Sequence, residues 1–212
     1  MPSLRTPSPP LSSGGVMLRA LRGPDVPAIT EACQDPDIQR WTRVPMPYRE
    51  SDARGWIAAM RSRENAGEAL EMAIADADSG LLIGAIGVVQ LNWRHRWGEI
   101  GFWVTPEVRG AGVATTALRM LSRWVLGPLG LERAELRIWE GNAAARMAAE
   151  KTGFVHEGTL RGAVIDRMGG EHRRDVDVYG LLRVDVAAER APERRAELGG
   201  GRVPTGLVRD RR

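Results

Sequence analysis

The chain has 212 residues, with 30 Lys and Arg against 27 Asp and Glu, a formal net charge of +3 and a single cysteine. That length suits one domain with a sizeable core and is short for two. Charge interrupts every apolar stretch before the ~20 residues of a membrane helix are reached, and the lone Cys33 excludes an internal disulfide and a cysteine-rich zinc site.

Residues 1–15 carry Pro2, Pro7, Pro9 and Pro10 among serines and lack an apolar run of signal-peptide length, so a disordered extension and a cytoplasmic location are expected. The first foldable strand is read from Met17 to Leu21, which makes Met17 a candidate start of translation and 16–185 the expected folded domain. A helix follows from about Asp25, its cap, to Gln34, with Pro27 in its first turn and Cys33 as a small core residue. The next, from Ser51 to about Glu64, stacks Trp56, Ile57 and Met60. Strands at Ala69 to Ala75, Leu81 to Trp93 and Gly98 to Val104 have the spacing of an antiparallel meander. A helix from Gly112 to about Leu126 buries Leu118, Leu121 and Val125, and a strand from Ala134 to Trp139 alternates apolar and polar residues. Asn142 caps an Ala-rich helix that ends at Gly153. Strands near Leu160 to Arg167 and Arg173 to Arg183 flank a Gly169-Gly170 hairpin turn. Residues 186–212 read as an Arg- and Gly-rich tail outside the fold. Its arginines form no stripe with interleaved aromatics, so DNA binding is not expected, although such a tail can touch ribosomal RNA or an acidic surface.

Chemistry concentrates at Val108-Arg109-Gly110-Ala111-Gly112-Val113-Ala114-Thr115-Thr116, between a strand and an amphipathic helix. Gly110 and Gly112 let the backbone turn tightly, and the helix start offers unpaired N–H groups to an anion. A pyrophosphate cradle is one reading; a Gly-rich turn that binds nothing is the other. The spacing matches neither a dinucleotide fingerprint nor a P-loop.

Arg109-x-x-Gly112-x-Ala114 resembles the coenzyme A pyrophosphate loop of the GNAT acyltransferase superfamily. The strand before Asn142, the helix it starts and the Gly153-Phe154 ending are similar to the same family. With Glu157-Gly158-Thr159-Leu160-Arg161-Gly162 and Arg174-Asp175-Val176-Asp177-Val178-Tyr179 they point to its RimJ/RimL-like branch of ribosomal-protein N-terminal acetyltransferases, a resemblance running from about Met17 to Arg183. It implies an α/β (α+β) fold, with a mixed, mostly antiparallel sheet flanked by helices and the cofactor between diverging strands. It implies an acetyl-CoA-dependent N-acetyltransferase that needs no metal and acts on a protein or peptide α-amine. Arg109 and the residues Gly110, Ala111, Gly112, Val113, Ala114 and Thr115 would then hold the phosphates, joined by Arg146. An amide near Trp103 or Val104 would polarise the thioester carbonyl, and Asn142 would bond the pantetheine arm or the acceptor unless it only caps its helix. A homodimer is compatible with the family.

An ammonium group has no free lone pair, so the acceptor must lose a proton before it attacks. Glu99 is the expected base, against the reading of a solvent-facing strand carboxylate, and His95 is second on chemistry alone. The chain departs from the family at Ala149, where many members carry a tyrosine acid, and at Ala145, where RimL-like members often carry serine. Tyr179 is a possible substitute acid or a packing residue. Trp41, Tyr48, Trp93, Trp97 and Trp103 suit an aromatic acceptor slot or the core, and Asp175 and Asp177 either steer a cation or solvate a sheet face. Two competing readings are a small-amine acceptor (antibiotic, polyamine or amino acid) and a non-catalytic coenzyme-A-sensing or ribosome-associated module.

Overall fold

Residues 4–166 and 172–187 are described by the structure, a computed structural model. The Gly169-Gly170 turn and nearly all of the 186–212 tail lie outside the described residues. One sheet organises the rest. Its strands are β1 (Leu11–Ser13), β2 (Val16–Ala20), β3 (Leu70–Asp76), β4 (Leu82–Asn92), β5 (Trp97–Val104), β6 (Arg133–Trp139), β7 (Val155–Asp166) and β8 (His172–Leu182), in the order β1-β2-β3-β4-β5-β6-β8-β7. Helices α1 (Val26–Ala32), α2 (Pro36–Trp41), α3 (Glu50–Ala66), α4 (Val113–Leu126) and α5 (Ala143–Lys151) flank it. The expected mixed, mostly antiparallel sheet is therefore observed, with the β3–β4–β5 meander at its centre.

Both faces of the sheet are covered, which is why β3 is apolar at nearly every position. Leu70, Met72 and Ile74 pack in one cluster with Leu118, Leu121 and Val125 of α4, while Ala73 belongs to a second cluster with Val26, Ile29, Ala53 and Ile57 of α1 and α3. Each fully buried Leu or Ile removes apolar area worth ~1.5–3 kcal/mol.

The β5–β6 contact is the exception in the ladder. These strands run parallel because the chain crosses over through α4 between them. They pair only as Trp97↔Arg133, Gly98↔Ala134 and Glu99↔Glu135. Beyond Glu99, β5 stays with β4 out to Val104 and β6 stays with β8 out to Trp139, so the sheet opens in a V.

Three local readings differ from the structure. Residues 4–15 are not a disordered extension: Leu4 is 2% exposed within the α4-face cluster, Arg5 bonds Asn65, the Thr6 amide donates to Glu64, and β1 pairs Leu11 with Leu18 of β2. The proline and serine content hid two leucines that anchor the segment, and Met17 is not the first residue of the fold. Helix α2 escaped notice because it has six residues; Asp35 caps it by accepting from the Ile38 amide at 3.0 Å, Pro36 opens it, and Ile38 is buried. Asp25 precedes α1 without capping it. Its carboxylate instead takes two hydrogen bonds from the buried Arg19 guanidinium, both 2.8 Å.

Candidate active site

Beyond β5 a 3-10 turn, Pro106–Val108, leads to an extended Arg109. Gly110 and Gly112 then take φ of +78° and +80°, a region that costs other residues roughly 1–2 kcal/mol. A Cβ at either glycine would meet nothing within 4 Å, so the loop borders open space. Gly112 is the N-cap of α4 and no side chain caps that helix. The first bond along this turn is from the Thr116 amide to Gly112 O at 2.9 Å; the Ala111 amide reaches Val108 O at 3.4 Å. The amides of Gly110, Gly112, Val113, Ala114 and Thr115 have no acceptor among the described residues. Free N–H groups at the positive end of a helix dipole are the donors an anion takes.

The Arg109 side chain does not simply stand open to a phosphate. It is ion-paired to Asp35, the cap of α2, and to Asp37 at 3.2 Å, which ties the cradle to the start of α2. Burial would raise the Asp35 carboxyl, but the Arg109 bond and the Ile38 amide hold it below the ordinary range.

The V between β5 and β6 frees backbone groups. The Thr105 amide donates to Ile83 O at 3.0 Å, on the β4 side. Because strand amides alternate, Trp103 and Gly101 also point to β4, whereas Val104 and Phe102 point into the opening. Of the two amides expected from sequence, Val104 is thus the one directed at the gap. Trp103 contributes its side chain instead, packed toward the α1–α3 cluster.

On that face lies a cavity of about 890 Å³ whose wall includes Glu99, Trp103, Asn142, Trp41, Trp56 and Tyr48. Glu99 occupies the last paired position before the V, with Arg137 Nε 3.6 Å from its carboxylate. Burial and the neighbouring Glu135 push its carboxyl above the usual range, against the opposing pull of Arg137 and Arg43. Asn142 Oδ1 accepts from the Ala145 amide at 3.1 Å, which realises the cap. Its side-chain NH2 donates to no described residue, so capping leaves a donor available at the cavity wall.

An open V flanked by an uncapped Gly-rich helix start on one side and a carboxylate-bearing cavity on the other fits a phosphate-bearing acyl carrier meeting an acceptor. The model of the acetyltransferase (GNAT) domain matches residues 16–155. The chain belongs to the GNAT acetyltransferase family. Over 111 residues it is 32% identical to YdaF of Bacillus subtilis, provisionally named a ribosomal N-acetyltransferase, covering 52% of this chain and 59% of that protein. It therefore spans less than two thirds of YdaF. RimL, a ribosomal L7/L12 α-N-protein acetyltransferase solved with coenzyme A, superposes with a TM-score of 0.73 at 18% identity, over 80% of this chain and 95% of RimL. The spermidine N-acetyltransferase of Vibrio cholerae, solved with coenzyme A and spermine, gives 0.71 at 22% identity, over 82% and 99%. At such identities the structural likeness speaks for the GNAT fold.

The remaining residues divide clearly in this GNAT chain. Arg146 is exposed on α5 and lies outside the cavity wall. His95 is exposed in the β4–β5 turn, its amide bonded to Asn92. Tyr179 is 2% exposed within the α4-face cluster, which makes it a packing residue. Asp175 accepts from the Gly162 amide and Asp177 from Thr159, so both bind the β7–β8 hairpin together. Trp93 donates to Gly67 O, away from the cavity, as is Trp97, while Trp56 and Trp139, which sequence did not assign to the slot, line it. Ala145 lines the cavity and Ala149 is fully buried, so neither position offers a proton donor. Among the described residues no group of three or more His, Cys, Asp or Glu could hold a metal, and no helix is long and apolar enough to cross a membrane. The residue that sequence reasoning passed over is Glu71 of β3, on the cavity wall. Its signal was present: it is the one charge within the apolar run Ala69 to Ala75.

Proposed function

We propose that this chain transfers the acetyl group of acetyl-CoA to a primary amine, and that the amine is the α-amine of a protein or peptide. The observation that carries the reading is the V at Glu99, with the uncapped α4 start beside it and the aromatic cavity below. The residues fit the carrier. The amides of Gly110, Gly112, Val113, Ala114 and Thr115 would hold the pyrophosphate, with Arg109 added once phosphate competes with Asp35 and Asp37. Ala111 would shape the loop, Arg146 would add positive charge from α5, the Val104 amide would polarise the carbonyl, and the Asn142 NH2 would bond the arm. Bound acetyl-CoA supplies a thioester already activated for transfer to an amine.

The chain's own task is to orient the acceptor and take its proton. An α-amine has a pKa of ~7.7–8.0, so a carboxylate raised by burial is better matched to it than an ordinary one. Glu99 stands where the strands part, the place from which an amine reaches the opening. A cavity of about 890 Å³ walled by Trp41, Trp56 and Trp103 suits the first residues of a peptide better than a bare small amine.

Calorimetric titration of acetyl-CoA into the wild type and Gly112→Trp tests the cradle, because a side chain larger than Ala is needed to fill the open space beside Gly112. Binding lost in the folded variant is expected; no binding to the wild type overturns the reading. Turnover of α-amino peptides is then expected to exceed that of small amines, and turnover of small amines alone would transfer the activity to that class.

A further inference from the structure

Glu71 has no evident structural duty. Its carboxylate has no hydrogen-bond partner and no ion pair within 4 Å among the described residues. Arg63, the positive group acting on it, gives Nη2 to Val89 O at 3.1 Å and approaches Glu68 at 3.8 Å. A half-buried carboxylate without donors is costly to ionise, and on a cavity wall such a group is suited to take a ligand's positive charge.

Its surroundings leave room for such a ligand. Glu71 pairs with Gly87, and Gly87 pairs with Gly101. Paired residues share a face, so from Glu71 across the sheet to β5 there are two successive positions without side chains. A Cβ at Gly87 would lie 2.6 Å from Glu71 Oε2 and 2.7 Å from its Cδ, so the carboxylate leans over Gly87 into that lane. Glu99 lies two residues from Gly101 on the same face, and both glutamates line the cavity. Two strand spacings across the sheet and two residues along the strand put their backbones ~12 Å apart. Two carboxylates thus face one cavity across a strip of glycines that the Val89 side chain overhangs at its β5 end, 3.0 Å from where a Cβ of Gly101 would lie.

We propose that Glu71 is an acceptor-binding residue that receives a second positive charge of the acceptor, set apart from the amine that reacts beside Glu99. This rests on the acetyl-transfer reading. The chemistry recognised is a dication, either a peptide α-amine followed by a basic side chain or a small diamine. Burial pushes the Glu71 carboxyl up to about 8, and an arriving cation would favour its ionised form.

The test is binding, measured by calorimetry on the full chain with coenzyme A present, and it does not depend on turnover. One pair of probes is Ser-Arg-Ala-Ala amide against Ser-Ala-Ala-Ala amide; the other is hexamethylenediamine against hexylamine. The wild type is expected to prefer the dication by about tenfold in at least one pair, and the pair that responds identifies the source. In Glu71→Gln that preference should collapse while coenzyme A binding is unchanged, and in turnover assays KM for the dication should rise with kcat near wild type. Glu71→Asp, which keeps the charge, should retain part of it. Repeating the wild-type titration in buffers of different ionisation enthalpy should reveal proton release, a readout that survives if neither variant folds. No preference in the wild type, or preference intact in Glu71→Gln, overturns the proposal. Cation preference without acetyl transfer would instead overturn the acetyl-transfer reading and leave the site standing.

Discussion

Glu99 and Asn142 each combine a local structural duty with a proposed role, and substitution can separate the two. Glu99 acts as a base only when ionised, and burial with Glu135 nearby shifts that ionisation upward. Turnover should therefore rise with pH along an acid limb lying above the ordinary carboxylate range. Glu99→Gln should lower kcat on the order of 10²-fold or more and remove that limb, with acetyl-CoA affinity unchanged. A wild-type rate and pH profile in the variant would take Glu99 out of the mechanism. For Asn142, the cap uses Oδ1 and the proposed cofactor contact uses the NH2. Asn142→Ser should keep the cap and stability while weakening acetyl-CoA; Asn142→Ala should lose about 1 kcal/mol of stability as well. Equal acetyl-CoA affinity in all three proteins would leave Asn142 a cap and nothing more.

At the scale of elements, the cradle and α2 form one unit through Arg109. Asp35 cannot be altered without uncapping α2, but Asp37 is exposed and caps nothing. An exposed pair contributes ~0.2–1 kcal/mol, so Asp37→Asn should tighten acetyl-CoA by at most about fivefold as Arg109 turns to phosphate. Calorimetry reading weaker binding would mean that the Arg109–Asp37 pair preorganises the cradle. This coupling was not legible in the sequence, because Arg109 and Asp35 are far apart in the chain and Asp35 looks like loop. The cradle was legible, since Gly110, Gly112 and a helix start are a local pattern with a local cause. So were β3 to β6, where alternation and turn residues agree. The β1 segment failed for the opposite reason: its order comes from Leu4 and Leu11 meeting residues distant in sequence, which composition cannot express. Glu71 lay between these cases, visible as an oddity but without meaning until Gly87 and Gly101 were seen beside it.

For the whole molecule, two carboxylates oppose each other in the dependence of stability on pH. Burial would raise Asp25, but the Arg19 hydrogen bonds and charge hold it below its ordinary value. Its contribution is thus present above the unfolded pKa of ~3.9 and is lost as pH falls through the lower folded value. Asp25→Asn would strand the buried Arg19 and should cost about 3–5 kcal/mol at neutral pH. Glu71 has the reverse sign. Its folded carboxyl is raised from 4.5 to about 8, so folding is favoured below 4.5 relative to the same chain at higher pH, and that advantage drains away as pH rises to about 8. Glu71→Gln keeps the shape without the charge. Its melting temperature should match wild type near pH 4.5 and exceed it increasingly up to pH 8. Equal melting temperatures at pH 8 would mean that Glu71 ionises in the fold without penalty, through water or an Arg63 that turns toward it. A widening difference would identify Glu71 as a charge the empty protein holds at the expense of stability, the expected signature of a residue kept for a ligand rather than for the fold.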